Sequence, residues 1–403
     1  RTLKGHTDTV LSCAFSPDGQ FIVSGAGNSG KSSDNSIRVW ETSTGRQLQV
    51  LQGHTQKVNA CQFSPDASFI LSGSSDHSLH IWETSTGKLL QSMEGHYLGI
   101  NTCEFSPNGQ SIVTAGEDSW LRLWETNTGR HVCNPGRHKN VVTRCAFSPN
   151  GRFIASACED NTLSVWDATR DWDASTGEMV HYLGDHSGRV RCCAYSPDGR
   201  LIVSASEDNT LIVWDAIKGK QLRRLEGHTE TVTVCAFSPD GGRIFSAGHD
   251  NTLRTWDALS GEIVSIQDCP KSMLNACAYS PDGSFIATVG EDKLLRLWDA
   301  TTSTVLAKLP LLGVLEAVAI HPLAPRLACG DAGGALYWVD IQGIQYEALH
   351  VTAVKDQEAL TIVCPACQQQ LSVEKKLRGK ELTCPTPGCG LRLKINPFVI
   401  IMA

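Results

Sequence analysis

Along the chain, runs of four to six mostly aliphatic residues alternate with clusters of Gly, Pro, Asp, Ser and Asn, and apolar residues do not recur at i, i+3 and i+4. Such runs predict strands rather than helices. In the first stretch they are Val10 to Phe15, Phe21 to Ser24, Ile37 to Trp40 and Gln47 to Leu51, each bounded by turn residues. The pattern then begins again. Its clearest marker is tryptophan, at Trp40, Trp82, Trp124, Trp166, Trp214, Trp256, Trp298 and Trp338, with gaps of 42, 42, 42, 48, 42, 42 and 40. A period of this length with four strands per unit means repeated small sheets, none of which can bury both faces alone.

Each unit runs from Gly-His through Ser-Pro-Asp-Gly and an Asp turn to an apolar segment ending in Trp. The Gly-His openings stand at His6, His54, His96 and His228, and Trp-Asp ends at Trp166-Asp167, Trp214-Asp215, Trp256-Asp257 and Trp298-Asp299; the three earliest units carry Trp-Glu. Over roughly residues 1 to 345 the chain resembles the WD-repeat β-propeller family. That resemblance implies an all-β ring in which each unit supplies three inner strands of one blade and the outer strand of its neighbour. Eight units predict eight blades, with a seven-bladed or open ring as the alternative. Arg1 to Lys4 precedes Gly5-His6 as Gln49 to Gln52 precedes Gly53-His54. It is therefore expected to be an outer strand pairing with Ala335 to Val339 and closing the ring; Tyr346 to Val351 is the rival for that place.

Four positions recur at fixed offsets: His54, Ser72, Asp76 and Trp82, and again from His96, His138, His186 and His228. Ser, His and Asp suggest a catalytic triad, but five copies around one ring would be five active sites without distinct pockets. The family resemblance implies instead a buried chain in which Trp donates to the hydroxyl, the hydroxyl to His and His to Asp. Late in the ring the set decays. Pro270 takes the His place in unit seven; counted back from Trp338, Pro310, Ala328 and Ala332 take three places in unit eight, with Asp331 one residue off. Those two blades are expected to be the least rigid.

Composition narrows the function. With 41% hydrophobic residues, 36 Gly and only 4 Met in 403 residues, the chain fits many short strands and excludes a coiled coil. A net charge of -7 makes nucleic acid an unlikely general partner. No leader and no run of eighteen apolar residues suggests a soluble chain with no membrane partner, and Arg1 in place of Met suggests a piece of something longer. Of 16 Cys, seven (Cys13, Cys61, Cys103, Cys145, Cys193, Cys235 and Cys277) share one inner-strand position, which reads as small core residues and hence a reducing, cytoplasmic setting.

The last four cysteines differ. Cys364-Pro-Ala-Cys367 and Cys384-Pro-Thr-Pro-Gly-Cys389 have the spacing of two thiolate turns around one tetrahedral zinc, and residues 362 to 396 resemble a zinc ribbon. Leu371 to Val373 and Glu381 to Thr383 are expected to form its hairpin. Four Cys ligands imply a structural zinc with no open position. Free thiols or two disulfides are the alternative. The expected organisation is a propeller over 1–352, a linker over 353–361, the ribbon over 362–396 and a tail over 397–403. Lys375, Lys376, Arg378, Lys380, Arg392 and Lys394 against Glu374 and Glu381 give the ribbon a positive surplus, which supports nucleic-acid binding as a second function class.

Gly25 to Ser32 matches a phosphate-binding loop ending in Lys31, but Asn35 to Trp40 follows as a strand, so the helix N-terminus such a loop needs is missing. Within the 48-residue gap, Trp172 has no place in the repeat and is a candidate contact or a residue folded back on its blade. On the top face, Tyr97 and Trp120 stand where other units have Thr55, Lys139, Ser187 and Thr229, or Ser78, Thr162, Thr210 and Thr252. They form a candidate hot spot for a protein partner, or else pack on each other or a neighbouring blade. The rim acids Glu117, Glu159, Glu207 and Glu291 would draw a partner carrying Lys or Arg. The whole reads as a non-enzymatic interaction or sensor module of a multidomain regulator, binding another protein or another domain of its own polypeptide.

Overall fold

The computed structural model describes residues 1–28, 34–168, 179–269, 273–356 and 359–401. Lys31, Trp172 and Pro270 lie outside them. Among the described residues the chain forms eight four-stranded antiparallel sheets and one five-stranded sheet. Sheet one is Val10–Phe15, Phe21–Ala26, Ile37–Glu41 and Gln47–Leu51, paired in that order. Sheets two to seven repeat it, starting at Val58, Ile100, Val142, Val190, Val232 and Leu274. The turn between the first two strands needs a left-handed residue, and Gly19 supplies it at φ 71; in sheet two Ala67 takes that conformation at φ 60, with the cost a Cβ brings there.

The sheets are held face to face. Trp82 of sheet two lies against Val23, Ile37, Val39 and Leu51 of sheet one, and Trp124 of sheet three against Leu71, Leu79, Ile81 and Met93 of sheet two. The same packing passes round to sheet eight, and Trp40 then meets Ala328, Leu336, Trp338 and Leu3, so the ring of interfaces is closed. Closure is made by the N-terminal strand, as expected: Thr2↔Tyr337, Leu3↔Leu336 and Lys4↔Ala335 pair antiparallel, and the Arg1 amino group donates to the Trp338 carbonyl at 2.8 Å. The rival segment goes elsewhere, since Leu349–Asp356 belongs to the five-stranded sheet.

Sheet eight corrects the count from Trp338. Elsewhere the blade Trp pairs with the second residue of the strand before it, as Trp40↔Ile22; in sheet eight that register is Val339↔Leu327, and Trp338 pairs with Ala328. Trp338 is one residue out of phase and so faces the opposite side of its sheet. The hydroxyl position is therefore Cys329, and Ala328 and Ala332 are not the equivalents of Ser72 and Asp76. Asp331 takes over the turn, accepting from the amides of Gly333 at 2.9 Å and Ala335 at 2.8 Å and from the Tyr337 hydroxyl at 2.8 Å.

The C-terminal region is a sheet rather than a linker, ribbon and tail. Its strand order is Gln370–Ser372, Ala359–Val363, Leu349–Asp356, Arg392–Ile401 and Glu381–Thr383. The two central strands run parallel, Leu349 opposite Leu393, so residues expected to link or trail form its core. Gln370–Ser372 and Glu381–Thr383 do not pair with each other as a hairpin; they lie at opposite edges. The sheet is docked under the ring: the Tyr346 hydroxyl donates to the His321 carbonyl at 2.9 Å, the Glu347 amide to Asp282 at 2.9 Å and the Asn396 amide to the Pro239 carbonyl at 3.3 Å.

Since Leu3 is the buried residue of the closing strand, Leu3→Asp places a charge in the seam between sheets eight and one. We expect it to speed amide exchange in Val10–Phe15 and Arg326–Asp331 at least about tenfold, while sheet four on the far side of the ring is unchanged. Uniform exchange in all sheets would show that the closing strand is dispensable.

Candidate functional site

The recurrent polar set is assembled six times. In sheet two Trp82 Nε1 donates to Ser72 Oγ at 2.9 Å, the hydroxyl bonds His54 Nε2 at 2.9 Å, and His54 Nδ1 bonds Asp76 at 2.9 Å. Sheet one has the same chain through Trp40, Ser24, His6 and Asp34, and sheets three to six through His96, His138, His186 and His228. The Asp carboxylate can only accept, so the neutral ring carries its proton on Nδ1 and the hydroxyl, itself accepting from the Trp N–H, donates to Nε2. This polarity is that of a catalytic triad, but Ser24, Ser72, Thr114, Ser156, Ser204 and Ser246 are 0% exposed and tied to the indole, so no substrate reaches the hydroxyl. In sheet seven Trp298 still donates to Thr288 at 2.9 Å, and Asp292 is held by Arg296.

A separate constellation lies on the rim where the His and Asp turns meet. Tyr97 is 76% exposed and Leu98, which the sequence reading passed over, is 47% exposed. Leu98 also departs from the repeat, whose counterparts are Asp8, Gln56, Asn140, Gly188 and Glu230. Trp120 is half-buried. The two aromatics do not stack on each other: the Arg122 guanidinium lies 5.6 Å from the Tyr97 ring and the Arg137 guanidinium 5.4 Å from the Trp120 ring. Arg122 is fixed in turn by Asp118 at 2.7 Å, so Tyr97 rests on an anchored cation while its other face stays open.

The rim acids are not equivalent. Arg191 bonds Glu207 and reaches Glu159 at 3.2 Å, and Arg189 lies 3.6 Å from Glu159 and 3.9 Å from Glu207. Those two carboxylates are paired within the rim, whereas Glu117 and Glu291 remain exposed, so the four acids expected to draw a basic partner are not equivalent. Glu117 stands beside Gly99, next to Tyr97 and Leu98.

Among the described residues, two groups of side chains have metal-ligand character. Cys364, Cys367, Cys384 and Cys389 converge, with Cys364 Sγ 3.6 Å from Cys389 Sγ and Cys367 Sγ 3.6 Å from Cys384 Sγ. The Thr386 hydroxyl lies 3.5 Å from Cys367 Sγ and 3.4 Å from Cys384 Sγ. The other group is His138, Cys158 and Asp160. There Cys158 Sγ accepts the Asp160 amide at 3.3 Å, as Ser74 and Ser206 accept their Asp amides at 3.1 Å, so Cys158 serves as a turn cap. None of the sixteen cysteines is in a disulfide.

Comparison with known proteins agrees with this architecture. A family model described as WD domain, G-beta repeat matches residues 1–41, 45–83, 87–125, 130–167, 177–215, 219–257 and 261–299. The chain belongs to the WD-repeat family. It is similar to a WD repeat-containing protein of Synechocystis sp., 50% identical over 50 residues, a match spanning 12% of this chain and 13% of that protein. It is also similar to the crystal structure of the computationally designed Ika8 protein, with a TM-score of 0.72 and 26% identity over 84% of this chain and 98% of that one.

Within the WD-repeat ring the polar chains make a pH-dependent contribution. Burial acts to raise the carboxyls of Asp34, Asp76, Asp118, Asp160, Asp208 and Asp250. Hydrogen bonds from the His ring and from the amide after it outweigh burial and hold all six well below the ordinary aspartate value. A carboxyl depressed by folding stabilises the fold fully above its unfolded pKa near 4, and this stabilisation is lost as pH falls toward the lower folded value. Urea titrations of wild type and Asp76→Asn should therefore differ most from pH 5 to 7, and the difference should shrink below about pH 4. A difference independent of pH would contradict this assignment.

Proposed function

We propose that the chain is an eight-bladed WD-repeat propeller that serves as a non-enzymatic protein-interaction module of a larger regulatory protein in a reducing, cytoplasmic setting. A partner segment docks on blade three at Tyr97, Leu98 and Trp120. The observation that carries this reading is the exposure of Tyr97 and Leu98, at 76% and 47%, on a turn whose counterparts are polar. A rigid ring presents these side chains with little entropic cost, and aromatic residues on fixed cations supply the large contact area of a hot spot. Glu117 beside them suits a Lys or Arg on the segment. A sensor role follows if the segment belongs to the same polypeptide.

The C-terminal sheet is held by a structural zinc in this reading. A tetrahedral site with Zn–S near 2.3 Å requires sulfurs about 3.8 Å apart, and the 3.6 Å separations of the two cysteine pairs suit it. Thr386 is placed to donate to two of the thiolates. With four Cys ligands the ion has no open position, so its contribution is to folding. Nucleic-acid binding through this region has less support, because Lys376 is paired with Glu374 and Arg392 with Glu381, each at 2.7 Å.

A photo-crosslinking residue at position 97, expressed in the cell that makes the protein, should yield a protein adduct. One at position 187, the matching place in blade five, should not, and Trp120→Ala should abolish the adduct while the melting temperature changes by less than about 2 °C. Equal labelling at both positions would assign Tyr97 to bare surface. For the metal, purified protein should carry one zinc per chain, and Cys367→Ser or Cys384→Ser should lose it together with the amide protection of Leu349–Asp356 and Arg392–Ile401, the ring staying folded. Full protection without metal would refute a zinc-dependent sheet.

A further inference from the structure

The inner strands of the eight blades surround an axial channel, and the seam between blades five and six differs from the others in its chemistry. Paired register makes Arg144 of blade four and Cys192 of blade five equivalent to Ser12, Ala60, Thr102, Val234, Ala276 and Ala317 of the other six. Arg144 and Cys192 therefore hold the same place in adjacent blades. Both line one chamber of the channel, of about 520 Å³, and Arg144 is exposed there. A side chain at this place meets the inner-strand cysteine of the next blade. Thr102 Oγ1 lies 3.7 Å from Cys145 Sγ, and Cys192 Sγ lies 3.6 Å from the Cys235 carbonyl oxygen. Blade five alone puts a second thiol there.

Cysteine reacts as its thiolate, and redox-active thiols sit beside a cation with a second thiol in reach. A hydrogen bond from the Cys235 thiol, and after it the Arg144 guanidinium, outweigh burial and hold the Cys192 thiol below the ordinary cysteine value. Burial pushes Cys13, Cys193, Cys235 and Cys277, which line the same chamber, well above it. Exposure alone would select Cys13 or Cys277, which are less buried than Cys192. Of the charged groups around them, Arg191 is held by Glu207 and Glu159, and Glu316 accepts from Asn275 at 3.3 Å. Burial pushes the Glu104 carboxyl, beside Arg144, up to about 7. It is only partly ionised at neutral pH, which leaves the guanidinium to act on Cys192.

The same seam lacks a bond that its neighbours have. Asn59, Asn101 and Thr143 donate to the first inner-strand carbonyl of the next blade, Ile100 at 2.8 Å, Val142 at 3.1 Å and Val190 at 2.7 Å; Thr233 and Asn275 reach Leu274 and Leu315 in the same way. Blade five has Arg191 in this place, bonded to the rim acids instead. From this arrangement we propose that Cys192 is a site of reversible oxidation by a hydroperoxide, closing on Cys235 as a disulfide that ties blade five to blade six. The Cys192 thiolate attacks a peroxide oxygen: an S–O bond forms, the O–O bond breaks, and the leaving oxygen takes up the proton that Cys192 released. The Cys235 sulfur then attacks the sulfenic acid. The S–S bond forms, the S–O bond breaks, and hydroxide leaves with the Cys235 proton as water. Two thiols give up two electrons, and hydrogen peroxide becomes two waters. The site is separate from the Tyr97 surface and does not depend on it.

The repeat itself supplies conservative variants, since Ala stands at this place in blades two, seven and eight. The full chain is treated with dilute hydrogen peroxide, quenched with iodoacetamide over time and digested without reductant for mass spectrometry. A Cys192–Cys235 cross-linked peptide is expected before Cys13 or Cys277 is modified, and dithiothreitol should remove it. Cys192→Ala should abolish the cross-link and leave Cys235 open to alkylation on denaturation. In Cys235→Ala, dimedone should trap a sulfenic acid at Cys192. Arg144→Ala should slow the reaction about threefold or more at pH 7 and move the midpoint of its pH profile upward, with Arg144→Lys restoring both; the gain in intrinsic nucleophilicity offsets part of the lost thiolate fraction. Oxidation of Cys13 or Cys277 ahead of Cys192 overturns the proposal, as does a pH profile unmoved by Arg144→Ala. Oxidised Cys192 that never joins Cys235 overturns the pairing. If Arg144→Ala does not fold, Arg144→Thr, the residue of blade three, takes its place with the same readings.

Discussion

A four-stranded sheet with two apolar faces is stable only between two others, and this constraint organises the whole ring. Every blade Trp but Trp338 is buried on the preceding blade, so no sheet can be removed without uncovering a neighbour. Burial of this kind is worth several kcal/mol per tryptophan. The first and last sheets have the same need, and strand Thr2–Lys4 meets it by joining sheet eight across the full length of the chain. The polar chains of Trp, hydroxyl, His and Asp work inside this frame. They satisfy the indole donor that burial would otherwise orphan, and fix the turns that carry the rim side chains.

Function on such a ring has to come from departures, because whatever is repeated is spent on closure. The six His-Asp pairs are alike and inaccessible at their hydroxyls. Tyr97, Leu98 and Trp120 occur in one blade, on a surface. There, residues that the repeat would make small or polar have been exchanged for ones that add contact area. The C-terminal sheet covers part of the lower face near Pro239, Asp282 and His321, which leaves the rim of blade three open.

The strands, their number per unit, the polar chains and the closing role of Arg1 to Lys4 were legible in the sequence, because each rests on local chemistry: alternation, turn residues and a fixed period. The cysteine quartet was legible for the same reason, since ligand spacing is local. What failed were statements about pairing at a distance. Trp338 looked like the eighth marker, yet a shift of one residue turns it to the other face of its strand, and a shift of that size is invisible to a count of gaps.

The parallel pairing of Leu349–Asp356 with Arg392–Ile401 joins segments that read separately as linker and tail, so only the folded chain reveals one sheet. Charge followed the same rule. Glu117, Glu159, Glu207 and Glu291 are equivalent in sequence, but Arg189 and Arg191 reach only the middle two, and the reach of a side chain depends on the blade beside it. Sequence by itself determined the repeat and the chemistry inside each unit, where the polar partners lie at most 28 residues apart. Tertiary structure decided register, strand order in the last sheet and which charges remain unpaired, because these depend on contacts between segments whose separation along the chain carries no periodic signal.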